Sequence, residues 1–129
     1  MKLYIASRFQ RRAEMVEYQQ RLRALGHSVE CRWLTDPDHR IEVDKFDENL
    51  ASFNAFLAWH DLHDLQAADT LVFFAPGGTR GGCHVEFGMA LASGKRLIWI
   101  GPRGHVFSWL PQVERFDTFE AAIEKGAFR

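Results

Sequence analysis

"DTLVFFAPGGTRGGCHVEFGMALASGK", residues Asp69 to Lys95, decides the fold. It opens on an unbroken apolar run, Leu71 to Ala75. A strand wetted on one face alternates apolar and polar residues, whereas one covered on both faces does not. Asp69–Ala75 therefore reads as a centre strand. Pro76–Gly82 reads as a glycine-rich loop, and a helix from about Cys83 to Ser93 is expected to stop at Gly94. Arg96–Ile100 (RLIWI) is a second buried strand, closed by Gly101-Pro102. Strand, loop, helix and strand in that order are the unit of a parallel sheet.

The flanks repeat the alternation. Leu3–Ala6 is a short buried strand. Gln10–Leu25 carries Met15, Tyr18, Leu22 and Leu25 at helical spacing and stops at Gly26. Ser28–Trp33 reads as a strand, Thr35–Arg40 as a loop, and Asp44–Gln66 as a long helix with Phe46, Leu50, Phe53 and Leu57 on one stripe. Phe116 ends a fifth short strand, and Thr118 starts a last helix. The expectation is one domain, residues 1–129, of the α/β class: a doubly wound (Rossmann/flavodoxin-like), mostly parallel sheet of about five strands with helices on both faces. Ligands of such sheets collect beyond the carboxyl ends of the strands. That points to Ala6–Arg12, Pro76–Gly82 and Gly101–Pro111.

A formal net charge of −1 gives no basic field for a nucleic acid polymer or a membrane surface. Cys31 and Cys83 make no disulfide scaffold, and no CxxC or HxxxH spacing suggests zinc. Leu3–Ala6 is too short for a signal peptide, and no run approaches the ~20 apolar residues of a membrane span. A soluble cytoplasmic protein with no metal or cofactor is expected.

Glu86 stands inside an apolar segment, and an uncompensated buried carboxylate costs several kcal/mol or shifts its pKa. In the first turn of its helix, end amides would favour the ionised form, which suits a nucleophile at a cleft. The alternative is a Glu that caps its own helix. Gly81 and Gly82 let the backbone approach a ligand. The loop lacks GxGxxG and follows the third strand, so a dinucleotide fingerprint matches poorly.

After strand one, Ser7, Arg8, Arg11 and Arg12 gather donors where a helix begins. Cations there oppose the helix dipole and ask for an anion such as phosphate. For Arg12 a solvated face paired with Glu14 and Glu17 competes. His60, Asp61, His63 and Asp64 fan around a helix rather than forming one ligand pair. Asp61 falls one turn beyond Leu57 and points inward, where it needs a partner or a role. Val106, Phe107, Trp109 and Leu110 make an apolar loop that docks on a second subunit or packs over the sheet edge.

Together "KLYIASR", "DLHDLQAAD", "GGCHVEFGMALASGK" and "HVFSW" resemble the nucleoside 2-deoxyribosyltransferase family, which includes the 2′-deoxynucleoside 5′-monophosphate N-glycosidases. The similarity runs from Lys2 to about Thr118. It implies cleavage of an N-glycosidic bond through a glycosyl-enzyme, as in retaining glycosidases. Glu86 falls on the nucleophile, Asp61 on the second carboxylate and Tyr4 on the tyrosine that orients the nucleophile. A neighbouring subunit completes the site in that family; its Asn falls on His105 and its Ser on Ser108, implying a dimer or higher homo-oligomer.

Six residues before Glu86, where the transferases place a base-contacting Asp, stands Arg80. An Arg there suits a 5′-phosphate, with Ser7, Arg8 or Arg11. A (deoxy)nucleoside 5′-monophosphate is therefore the preferred substrate, with water or a second base as acceptor. The alternatives are base exchange on free deoxynucleosides, a non-catalytic nucleotide-binding module, and a metal-dependent hydrolase on the His60–Asp64 cluster. Trp33 is either a stacking platform for the base or core. Because Asp61 sits late in a helix running back along the sheet, a bend or early end near Trp59 is expected.

Overall fold

The computed structural model describes residues 1–36, 51–77 and 81–129. Five strands form one sheet: β1 (Lys2–Ala6), β2 (Ser28–Val29), β3 (Thr70–Phe74), β4 (Arg96–Ile100) and β5 (Val113–Phe116). Their order is β2-β1-β3-β4-β5, and every neighbouring pair is parallel. The helices are α1 (Arg12–Ala24), α2 (Arg32–Thr35), α3 (Ala51–Ala67), α4 (Gly82–Ala92) and α5 (Phe119–Glu124). Short 3-10 turns cover Phe9–Arg11 and Val106–Trp109. This is the doubly wound order in which ligands sit outside the carboxyl ends of β1 and β3, where the winding reverses.

β3 is buried at all five residues, as its apolar run requires. In a parallel sheet, residues in register share a face. Tyr4 pairs with Leu71 and Leu71 with Leu97, while Ala6 pairs with Phe73 and Phe73 with Trp99. On this face Phe73 and Trp99 meet Phe87 of α4. On the other face Phe74 stacks on Tyr18 of α1 and meets Phe119 of α5. Burying chains of this size contributes about 1.5–3 kcal/mol each. Lys95 Nζ, just past α4, donates to the carbonyls of Gln66 and Ala68 and so ties the ends of α3 and α4 together.

Three expectations need correction. The strand expected over Ser28–Trp33 stops at Val29, and α2 begins at Arg32. Arg12 donates to the carbonyls of Trp33, Leu34 and Asp36, which holds this segment in a turn rather than in the ladder. Leu25, expected inside, is 51% exposed; Gln19 takes an interior place instead, its amide donating to Val29 O at 2.9 Å. The helix expected over Asp44–Gln66 is seen as Ala51–Ala67; residues 44–50, with Phe46 and Leu50, lie outside the described residues.

Candidate active site

α3 runs unbroken through Trp59 to Ala67, so the expected bend or early end is absent. None is needed. Asp61 lies six residues before the helix end, about 9 Å of axial rise. Tyr4 stands level with Leu71, two residues past Asp69 and roughly 7 Å along the strand. A straight helix therefore brings Asp61 to the height of Tyr4.

α4 supplies the third group. Cys83, Phe87 and Ala90 are its buried stripe, and at 100° per residue Glu86 and His84 flank that stripe on opposite sides. Glu86 turns towards β1 and α3. Its carboxyl interacts with the Tyr4 hydroxyl and the Asp61 carboxyl. Burial is the chief cause that pushes the Glu86 pKa up to about 8; the Tyr4 hydroxyl opposes the rise and the charge of Asp61 adds to it. Burial also raises the Tyr4 phenol, with the charges of Glu86 and Asp61 acting the same way. Glu86 as a whole is only half-buried, but its Oε2 is covered. Neither Oε2 nor the Tyr4 hydroxyl has a well-aligned hydrogen bond among the described residues. The two are near enough to interact, yet their geometry is loose.

Glu86 is not in the first turn of α4, as its sequence position suggested. It is the fifth residue, and the first turn holds no acid. The amides that would have held it ionised are a turn away, so burial prevails. The capping alternative fails for the same reason: the N-cap is Gly81, at φ 116°, with no side-chain cap. The loop needs glycine there, since other residues rarely adopt a positive φ.

The basic residues after β1 divide. Arg11 donates from Nε and Nη2 to Glu14 and from Nη1 to Ala75 O at 2.9 Å, so it serves the fold. Arg12 holds α2 rather than pairing with Glu14 or Glu17. Ser7 is buried and donates to Phe74 O. Arg8 is exposed, and its side chain has no hydrogen bond or ion pair among the described residues. Its charge reaches the Cys83 thiol, whose pKa burial lifts to about 11 and Arg8 tempers. Arg80 lies outside the described residues.

His105 and Ser108 turn into their own chain. The Ser108 hydroxyl is fully buried and donates to His105 O at 2.6 Å. His105 packs on Trp99, Phe87 and His84, and burial lowers its pKa, with His84 assisting. Trp33 is core: it is 5% exposed and donates through Nε1 to Ile5 O at 2.8 Å, so it stacks on no base. Asp64 is drawn off by Arg32, at 2.9 Å. Among the described residues, no group of three or more His, Cys, Asp or Glu is placed to hold a metal ion, and no helix is long and apolar enough to cross a membrane. Sequence reasoning missed Cys31, whose Sγ accepts from Ile5 N beside the site and whose thiol is pushed up by burial. Its sequence placed it inside the strand expected over Ser28–Trp33, where no local signal set it apart.

No protein-family model and no curated protein matches the chain. Among solved structures, it is similar to a 2-deoxyribosyltransferase from Bacillus psychrosaccharolyticus, with a TM-score of 0.64 and 22% identity over 93% of this chain and 88% of that one. The fold is thus the one that the sequence motifs implied.

Proposed function

We propose that the protein cleaves the N-glycosidic bond of a (deoxy)nucleoside 5′-monophosphate. The observation that carries this reading is the meeting of Glu86, Asp61 and Tyr4, from three separate elements, on one face of the sheet. In its ionised form Glu86 attacks the anomeric carbon as the bond to the base nitrogen breaks, and Asp61 gives its proton to the departing base. Water, or an N–H nitrogen of a second base, then takes the sugar, losing its proton to Asp61 and freeing the Glu86 carboxylate. Tyr4 orients Glu86 and favours its charged form. Two neighbouring carboxyls holding one proton between them suit this division of labour. Arg8, exposed and without an ion pair, supports a place for the 5′-phosphate beside β1.

The similarity to a 2-deoxyribosyltransferase favours a second reading, base exchange on free deoxynucleosides. Incubation with deoxynucleoside 5′-monophosphates or free deoxynucleosides, with and without a second free base, separates the two. Free base and deoxyribose 5-phosphate are the expected products. Exchange on nucleosides with no hydrolysis of monophosphates would overturn the preference, and no base release from any substrate would overturn the enzymatic reading.

A homo-oligomer belongs to the same proposal, with the 104–111 loop reaching the neighbouring site. Val106, Phe107 and Trp109 are 75%, 57% and 71% exposed, which supports apolar contact with a second copy. Sedimentation velocity of the protein and of Phe107→Asp tests it; a wild-type monomer at micromolar concentration would refute it.

A further inference from the structure

On the flank of α4 away from Glu86, a half-open pocket of about 330 Å³ lies beyond the carboxyl ends of β3 and β4. Pro76, Trp99 and Pro102 give it apolar walls, and Arg103 and His84 are the basic groups in its lining. No carboxylate is among its described lining residues. Arg103 is held in place: Nη1 donates to Ser108 O, and the guanidinium lies 4.3 Å from the Trp109 ring centroid. It has no ion pair among the described residues. His84 is the third residue of α4 and packs 5.4 Å from Phe73, ring to ring.

A guanidinium fixed by neutral partners keeps its full charge, and low-dielectric walls focus the field of that charge into the cavity. Its remaining donors match the oxygens of a phosphate, and His84 borders the same cavity. We propose that this pocket is a phosphate-binding subsite that takes a phosphate monoester through Arg103 and His84, apart from the Glu86–Asp61 pair. The phosphate belongs either to a second phosphorylated molecule or to a substrate whose 5′-phosphate lies here rather than beside Arg8.

The test uses inorganic phosphate as the probe, titrated by calorimetry against the full chain carrying Arg8→Met, so that the region beside β1 does not contribute. Saturable binding is expected. It should weaken about tenfold or more on adding Arg103→Met, less on adding His84→Gln, and not at all on adding Glu86→Gln. Absence of binding at tens of millimolar, or binding that Arg103→Met and His84→Gln both leave unchanged, would overturn the proposal. Should Arg103→Met fail to fold by circular dichroism, Arg103→Lys and His84→Gln carry the test. A deoxynucleoside monophosphate added to the Glu86→Gln protein identifies the source. Competition with phosphate that Arg103 governs assigns the site to the substrate's own group, and simultaneous binding assigns it to a second molecule. Because the readout is binding, it stands even if no glycosidic bond is cleaved.

Discussion

The two flanks of α4 carry opposite chemistry on one scaffold. Towards β1, Glu86, Asp61 and Tyr4 are acidic or neutral, and burial of Glu86 and Tyr4 sets their protonation. Towards β4, Arg103 and His84 are basic and border open space. The contrast with Arg11, Arg12 and Arg96 is informative. Those guanidiniums are spent on Glu14, on the carbonyls at the end of α2, and on Glu114. A polar group committed to internal bonds holds the fold. Arg103, held by neutral partners and without an ion pair among the described residues, keeps donors to spare.

The acidic flank breaks most sharply at its centre. Glu86→Gln is expected to lower kcat by about 10³-fold or more while a nucleotide still binds, read by single-turnover kinetics and calorimetry. Equal turnover would refute the nucleophile. Asp61→Asn should cost about 10²–10³-fold, with the loss smallest for substrates whose base departs easily, because a good leaving group needs no proton. Tyr4→Phe sharpens the comparison further. A fall of about tenfold in kcat, with unchanged or higher thermal stability, is expected, since the hydroxyl lacks a well-aligned bond to lose.

Protonation gives a graded test. The folded-state pKa of Glu86 lies above its ordinary 4.5, so the native protein keeps a proton that the unfolded chain has lost. That stabilising difference is complete below about pH 4.5 and is lost as pH rises through about 8. Denaturation of wild type and Glu86→Gln between pH 5 and 8 should therefore diverge by about 2–4 kcal/mol, with the variant gaining relative to wild type as pH rises. Parallel curves would mean that Glu86 is ionised throughout. By the same shift, kcat/KM should fall as pH rises through about 8, where the pair loses the one proton that Asp61 must deliver. The smallest effect belongs to the loop joining the flanks: Gly81→Ala at φ 116° should cost about 1–2 kcal/mol, read as a lower Tm.

The central strands were legible because continuous apolar runs such as LVFF and LIWI admit few other readings. The pairing of Glu86, Asp61 and Tyr4 was legible only through motif resemblance; nothing in local spacing joins residues 4, 61 and 86. What stayed hidden depended on long-range bonds. Ser28–Trp33 has strand-like composition, but Arg12, sixteen or more residues earlier, turns its second half into a helix. Trp33 looked equally suited to a base or to the core until its indole met Ile5 O. The charge state of Glu86 was misjudged by a single turn, since one residue's place in a helix decides whether end amides reach it. The basic pocket left no signature, because His84 on α4 and Arg103 in the loop after β4 lie nineteen residues apart and meet only in the lining of the cavity.

The bond from Lys95 to the carbonyls at the foot of α3 has a mechanical consequence. It pins α3 and α4 where the strands begin, like tongs joined at the handle. Both carboxyls sit partway up the blades, about 9 Å above the joint. Any parting of α3 and α4 at their far ends would therefore widen the gap between the carboxyls by less than the movement at those ends.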